Sequence, residues 1–373
     1  MTDAPVWEDG RAASYPSLVG DVNTDICVIG LGGSGLAAIH ELLQLGKRVV
    51  GLDAGIVGGG AAGRNGGFLL AGLADFYHDA VASIGRDRAR QIYCQTIDEL
   101  DRMTAETPDI IRRNGSLRIA ADDAELADCR VQLDAMRADH LPAEWYEGPE
   151  GRGLLIPTDG VFDPLRRCRM LAASAQTNGA ALHERSATTA IAGDTVTTAT
   201  GQVHCRQVIV AVDGLLSRVL PETASRVQSA RLQMLATAPT MAVRLDRPVY
   251  SRWSYDYWQQ LPDGSIALGG GRDVGGTAEW TDEATATPAV QAHLDRVLEQ
   301  QIGVTVPVTR RWAGIVGYTP DGLPFVAEVR PAVWALGGYS GTGNILGALA
   351  GRGVARQVVH GTSPLLAALW PAS

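Results

Sequence analysis

The sequence predicts an α/β fold made of two intertwined domains, and three observations carry that expectation. The apolar run Asp25–Gly30 ("DICVIG"), a helical pattern over 34–45 and a second apolar run over 48–53 give β-α-β within about thirty residues. A strand, a glycine loop and a helix return near the C-terminus, in "VWALGG" (333–338) and "NILGALAGRGVARQVVHG" (344–361). Between them, from about Val227, the pattern becomes alternating and aromatic, as in "RWSYDYWQQLPDGSIALGGG". Alternation of that kind belongs to half-buried sheet.

Each element has a local reason. Short continuous apolar runs suit parallel strands buried on both faces. The helix over 34–45 ends where Gly46 can take the left-handed conformation and close it. From about Phe76 to Glu106 the pattern is helical and charged, and stops before Pro108. "GSLRIA" (115–120) reads as strand and "DDAELADCRVQLDAMRADH" as helix, while "GLLIPTDGVFDP" (153–164) leads into a helix ending near Asn178-Gly179. Strands are expected at 187–192, 194–200 and 203–212, a hairpin turn at Asp263-Gly264 and a helix over 288–301.

Composition excludes several classes of function. A net charge of −9 argues against nucleic acid or an anionic membrane as main partner, since both are bound through basic patches. Lys47 is the only lysine, which removes most options for a catalytic lysine. Cys27, Cys94, Cys129, Cys168 and Cys205 are odd in number and form no CxxC pair, so neither a disulfide framework nor a zinc site is expected. The seven histidines form no HxxxH or HxH cluster, and no metal site is expected from them either. The first twenty residues carry no apolar signal core, and no apolar run approaches the ~20 residues that span a bilayer. The expectation is a cytoplasmic protein with no membrane span and a sizeable core, 46% of its residues being hydrophobic.

The strongest chemical signal is Gly30-Leu31-Gly32-Gly33-Ser34-Gly35, a GxGxxG at the strand-to-helix turn. Gly30 makes the tight turn, Gly32 lets backbone approach a pyrophosphate, and Gly35 lets the helix close on the strand. The helix N-terminus then presents its positive end to the phosphates. Asp53 closes the second strand about twenty residues on, placed to accept from a ribose diol. This constellation predicts dinucleotide binding without separating FAD from NAD. The loop "GGGAAGRNGG" (58–67) favours the more extended cofactor: Gly63, Gly66 and Gly67 could bring backbone against it, with Arg64 and Asn65 as donors. A flexible surface lid is the alternative. The second cluster, "GGYSGTGN" (337–344), precedes a helix expected to start near Gly343 or Asn344, aiming free N–H groups and positive charge at a ligand. The domains follow from these pieces: nucleotide-binding at 21–75, 155–226 and 308–365, substrate-facing at 76–154 and 227–307, with 1–20 as a lead-in. Alternation places Trp253, Tyr255 and Tyr257 on one sheet face, as a pocket wall or as plain core.

Together, "YPSLVGD", "DICVIGLGGSG", "GRNGG", "TDGVFDP", "WAGIVGYTPDGLPFV" and "GGYSGTGN" resemble the D-amino-acid oxidase-like flavoprotein superfamily over nearly the whole chain, particularly its glycine oxidase and γ-glutamylputrescine oxidase branches. The resemblance implies a glutathione-reductase-like Rossmann domain binding FAD non-covalently and an intertwined mixed-sheet (α+β) substrate domain. By position, Thr188 matches a residue whose backbone touches adenine, and Gly214 follows the strand beside the cofactor. The implied cofactor group is Gly30, Gly32, Gly33, Ser34, Gly35, Asp53, Ala54, Gly63, Arg64, Asn65, Gly66, Gly67, Thr188, Gly214, Gly314, Gly341, Thr342, Gly343 and Asn344. The implied substrate group is Arg64, Tyr255, Tyr257, Arg272, Trp312, Val316 and Tyr339.

Members of the superfamily oxidise a C–N bond by hydride transfer to flavin, and oxygen usually reoxidises it. The expected activity is therefore an FAD-dependent oxidase of an amine or N-substituted amino acid, forming an imine and hydrogen peroxide. The alternatives are a dehydrogenase with another acceptor and a flavin-binding protein without turnover. No catalytic residue is assigned, because a neutral amine needs no general base. Three departures from the family pattern matter, two for the cofactor and the last for the substrate. Ala62 stands where the family often has serine, "RRWAGIVGYTPDG" lacks the cysteine that sarcosine oxidases use to attach flavin, and Val316 stands where glycine oxidases place an arginine.

Overall fold

The computed structural model describes residues 3–10 and 13–369. The chain forms two compact units, each assembled from separated segments. One, the Rossmann unit, comprises Asp9–Arg64, Pro164–Ala230 and Val316–Ser373; the other, the sheet unit, comprises Met1–Glu8, Asn65–Asp163 and Arg231–Ile315.

The Rossmann unit is built on a six-stranded sheet in the order Ala181–His183, Val49–Leu52, Ile26–Ile29, Gln207–Val210, Val333–Gly337, Phe325–Arg330. The first five strands run parallel and the last is antiparallel. The central strands "ICVI" and "VVGL" are buried at every position, which a sheet covered on both faces requires. The helix Gly33–Gln44 covers one face and buries Leu36, Ile39 and Leu42 completely. Each such side chain contributes about 1.5–3 kcal/mol. The helix ends at Leu45, and Gly46 follows at φ +72°, the cap its sequence predicts. Against it lies the C-terminal helix Leu346–His360. A Cβ on Gly351 would stand 2.2 Å from the Ser34 carbonyl oxygen, so the two helices meet backbone to backbone, and any larger residue at 351 would separate them. A second, four-stranded sheet runs Gly20–Asn23, Gly201–His204, Thr195–Thr198, Thr188–Ala192.

The run 203–212 is not one strand. It leaves the four-stranded sheet after His204 and enters the parallel sheet at Gln207. The step is fixed by Cys205 N–H donating to Asp194 O (2.8 Å) and Arg206 N–H to Asp25 O (2.9 Å). A continuous apolar run cannot show that its two halves serve different sheets.

The sheet unit carries most of an eight-stranded sheet in the order Val308–Tyr318, Gln228–Thr237, Ile266–Gly270, Asp256–Gln260, Val249–Ser251, Ser116–Ile119, Gly151–Ile156, Glu144–Gly148, with residues 228–230 and 316–318 counted in the Rossmann unit. The mixture is real: Val249–Ser251 runs parallel to Ser116–Ile119 and antiparallel to Asp256–Gln260. A small sheet of Phe68–Leu69, Gly160–Phe162 and Ile111–Arg112 stands apart from it. The helical stretch 76–106 is two helices, Tyr77–Ile84 and Arg86–Glu106, broken at Gly85 by a φ of +85°. The helix expected over 288–301 is α-helical over Pro288–Arg296 and ends in a π-turn, Val297–Gln301. The fold is thus α/β, with a Rossmann unit and a mixed-sheet unit interleaved along the chain. Among the described residues no helix is long and apolar enough to cross a membrane.

Candidate active site

The first glycine turn divides its glycines between two jobs. A Cβ on Gly30, whose φ is +104°, would lie 2.4 Å from Ala211 O, and one on Gly35 would lie 1.9 Å from Gly30 O. Those two are fixed by the chain's own packing. Gly32 and Gly33 are different: a Cβ on Gly32 meets only Ala62 Cβ at 3.2 Å, and one on Gly33 meets nothing within 4 Å. Gly32 caps the helix without a side-chain bond, and the first turn holds no acid. The first N–H groups are left to an outside acceptor, at the positive end of the macrodipole. An anion fits there.

Asp53 stands at the end of the neighbouring strand. Its Oδ2 accepts from Leu31 N–H and its Oδ1 from Gly55 N–H, both at 2.8 Å. Burial pushes its carboxyl above the ordinary value, against the pull of these two bonds. Each oxygen keeps a lone pair for a further donor such as a ribose hydroxyl. Ala54 beside it is exposed. Thr188, the position that the resemblance sets beside adenine, opens its strand with a hydroxyl that is buried and meets no partner. Open backbone, uncapped helix end, acceptor carboxylate and orphaned hydroxyl together fit a dinucleotide.

The loop 58–67 answers to the protein's own atoms. A Cβ on Gly63 would stand 2.3 Å from Gly58 O and 2.7 Å from Leu165, and one on Gly66 would stand 2.5 Å from the Phe68 ring. Gly67, at φ +72°, lies so near Phe162 that a Cβ would come within 2.5 Å of its carbonyl oxygen. The turn is clamped on three sides within the sheet unit. Trp7 Nε1–H donates to Asn65 O (2.8 Å), Gln259 Nε2 donates to the carbonyl of Gly66, and Asn65 Oδ1 accepts from Gly67 N–H (2.9 Å). Arg64 and Asn65 are half-buried. Sequence reasoning missed Trp7 and Gln259. A tryptophan in a polar lead-in and a glutamine two residues after Tyr257 on the same strand face were the available signals.

The late glycine turn begins its helix later than its sequence suggests, at Leu346, with Gly341–Ile345 forming turns. Gly341 has φ +98° and open space around it. Thr342 Oγ1–H donates to Tyr339 O (2.7 Å) and Thr342 O accepts from Leu346 N–H, which brings Gly343 and Asn344 into the approach to the helix. Tyr339, expected on the substrate side, is 4% exposed in the Rossmann core, with its ring against Gly343 and Gly347. Burial pushes its phenol far above the ordinary range. Gly214 also serves the chain, since a Cβ there would stand 2.7 Å from the Val316 carbonyl carbon. Gly314 is buried in the strand Val308–Tyr318.

Beside Gly214 stands Asp213, a residue the sequence reading passed over. Its φ is +47°. Its Oδ2 accepts from Gly317 N–H (3.1 Å) and its Oδ1 from Tyr339 N–H (3.3 Å), and the amides of Gly338 and Gly214 also bond it. Desolvation still lifts its carboxyl to about 6.

The aromatic stripe is corrected by the structure. Arg252, Trp253 and Ser254 all have positive φ (55°, 50° and 68°) and form a turn, so Trp253 and Tyr255 precede the strand that carries Tyr257. The turn is held by Glu125, whose carboxylate accepts from Arg252 N–H (3.0 Å) and Trp253 N–H (2.6 Å). Trp253 donates its indole N–H to Asp128 (2.8 Å), and Tyr255 lies under the Arg272 guanidinium at 5.5 Å. Only Tyr257 joins an aromatic face, with ring centroids 5.6 Å from Phe68 and 6.4 Å from Tyr250. Trp312 is 1% exposed, packed with Met234, Ala236 and Ala267. Val316 is half-buried. Lys47 follows the C-terminal end of the first helix, the end opposite Gly32.

Known proteins resemble this chain in sequence and in fold. Over 92% of its length the chain is 28% identical to the γ-glutamylputrescine oxidoreductase of Escherichia coli K12, of which the match covers 86%. The fold matches L-proline dehydrogenase from P. horikoshii (TM-score 0.77, 20% identity, 95% of this chain and 96% of that one). It also matches glycine oxidase from Geobacillus kaustophilus (TM-score 0.75, 18% identity, 90% and 95%). The family described as FAD dependent oxidoreductase matches residues 25–357, from the first buried strand into the helix Leu346–His360. The chain belongs to that family: it is an oxidoreductase, and its cofactor is FAD.

Proposed function

We propose that this protein is an oxidase that removes two electrons from the C–N bond of an amine or N-substituted amino acid and passes them to oxygen. The carrying observation is the likeness to γ-glutamylputrescine oxidoreductase across nearly all of both chains. Bound FAD supplies a two-electron acceptor for the hydride on the carbon next to nitrogen. The amine becomes an imine, water hydrolyses it to a carbonyl compound and a released amine, and oxygen takes up two electrons and two protons as hydrogen peroxide.

The residues would act by position more than by proton transfer. Gly32, Gly33, Ser34 and the helix end behind them would hold the pyrophosphate, and Asp53 the ribose. The turn at Gly341–Asn344 would meet the rest of the cofactor. Tyr257, with Phe68 and Tyr250 behind it, offers a rigid apolar face that would orient a C–H bond, and orientation of this kind supplies much of a barrier reduction. Tyr255 and Arg272, stacked on each other, are proposed as outer contacts, and Arg64 as an alternative carboxylate partner. Trp312 and Tyr339 act as packing behind their faces. Val316 in place of an arginine disfavours free glycine, because a buried carboxylate without a charge-assisted partner binds poorly. The five free thiols support a reducing, cytoplasmic setting.

The acceptor is tested by reducing the purified yellow protein with substrate without air and then admitting air. An oxidase bleaches and recovers its colour quickly, with one peroxide formed per substrate oxidised. Slow recovery in air, with fast recovery on adding a quinone, would establish a dehydrogenase instead. A flavin that no amine bleaches would establish a protein without turnover.

A further inference from the structure

Asp213 sits in the left-handed region at φ +47°, which glycine enters freely and which asparagine and aspartate enter more readily than other side-chain-bearing residues, at some cost in strain. Such strain persists where the surroundings over-determine the backbone. Here they do. Glycine would satisfy φ +47° alone, but glycine carries no carboxylate.

The carboxylate joins three segments of the Rossmann unit that are far apart in sequence. It accepts from Gly317 at the end of one strand, from Gly338 and Tyr339 at the end of another, and from Gly214 next to itself. The three segments also touch backbone to backbone around it. A Cβ on Gly317 would stand 2.8 Å from Gly338 N, one on Gly337 would stand 2.7 Å from Asp213 O, and one on Gly214 would stand 2.7 Å from the Val316 carbonyl carbon. Ser340 N–H donates to Gly317 O (2.9 Å), and Ser229 Oγ–H donates to Gly214 O (2.5 Å). One charged group therefore satisfies amide donors from two strand ends and from its own neighbour, a task one hydroxyl could not perform.

We propose that Asp213 is a positioning residue of the cofactor site, setting the turn that runs from Gly338 to Asn344 so that its backbone meets FAD. The proposal rests on the reading of Gly341–Asn344 as cofactor contact. Its action is indirect: the carboxylate orients the amides of Gly338 and Tyr339, and the following residues inherit that direction.

The test uses apoprotein refilled with FAD, comparing wild type with Asp213→Gly and Asp213→Asn. Asp213→Gly keeps the backbone conformation and removes every acceptor. Asp213→Asn keeps one acceptor oxygen and turns an NH2 toward amide donors. Expected are FAD dissociation constants raised at least tenfold in the glycine variant and by less in the asparagine variant, with apoprotein melting temperatures near wild type. The visible band of bound flavin should also lose fine structure in both. Hydrogen exchange of the 338–344 amides gives the separate control, with FAD expected to protect them in wild type. No protection in wild type overturns the reading of that turn as cofactor contact. Protection in wild type, with wild-type FAD affinity in Asp213→Gly, overturns the proposal alone. Loss of affinity matched by an equal loss of apoprotein stability also overturns it, by showing a purely structural role.

Discussion

The segments Gly30–Gly35 and Gly58–Gly67 look alike in sequence and differ in what their glycines do. In the first, Gly30 and Gly35 serve close packing while Gly32 and Gly33 stay open. In the second, Gly63, Gly66 and Gly67 are each pressed by the protein's own atoms at 2.3 to 2.5 Å. A glycine is thus a weak signal for a ligand on its own. What separates the two cases is an uncapped helix end behind the open glycines and an aspartate at the end of the next strand. In the second segment Trp7, Gln259 and Asn65 instead fix the direction of the peptide groups.

That contrast can be broken by substitution, and the largest effect is expected at Gly35. Alanine there drives a Cβ to 1.9 Å from a carbonyl oxygen, so strand and helix must part. The expected outcome is a loss on the order of 4 kcal/mol or an insoluble product, read by chemical denaturation of the apoprotein. Gly67→Ala comes next, at about 2 kcal/mol, combining a positive φ with overpacking. Wild-type stability in either variant would break the account of packed glycines.

Asp53→Ala sharpens the other side. It removes the side-chain acceptor of two backbone N–H groups and the proposed ribose partner, so FAD affinity should fall about tenfold or more while stability falls by roughly 1 kcal/mol. Undiminished FAD affinity would remove Asp53 from the site. Acid precipitation should leave all flavin in the supernatant. A yellow pellet would show covalent attachment.

A pH-dependent effect concerns the anchor of the second segment. Asp159 Oδ1 accepts from Ala71 N–H (2.9 Å), just past the clamped turn, and its Oδ2 from Ser116 Oγ–H (2.6 Å). Burial lifts its carboxyl from 3.8 to about 7. The folded state therefore holds a proton that the unfolded chain has released. The stabilisation is full below the unfolded value and is lost as pH rises from about 4 toward 7. Denaturation of wild type and Asp159→Asn across that window should show a difference that shifts by a few kcal/mol in favour of the asparagine variant as pH rises. A pH-independent difference would show that the group does not titrate there.

Much of the Rossmann unit was legible because its signals are local. Buried β-branched runs, a capping Gly46 and a glycine turn with an acid about twenty residues on all lie within one short stretch. The substrate side was less legible because its geometry depends on partners distant in sequence. Trp253 and Tyr255 leave the strand because Glu125, 127 residues before Arg252, holds the turn. Tyr339 faces inward because Gly343 and Gly347 leave room for its ring. Asp213 and Trp7 carry no motif, and their importance comes only from the amides and carbonyls the fold brings to them.

The most direct measurement pairs Gly32→Ala with Gly63→Ala and reads two quantities in each, the FAD dissociation constant and the apoprotein melting temperature. Gly32 has extended backbone (φ −90°, ψ −170°) that any residue adopts, and its Cβ would meet only Ala62 at 3.2 Å. Alanine at 32 should leave the apoprotein melting within about 2 °C of wild type and raise the FAD dissociation constant at least tenfold, by occupying the place where pyrophosphate approaches backbone. Alanine at 63 should do the reverse, lowering the melting temperature by about 5 °C or more while the folded fraction still binds FAD. Wild-type FAD affinity in Gly32→Ala, with normal folding, would contradict the claim that the open glycines of the first turn are the ones that hold the cofactor.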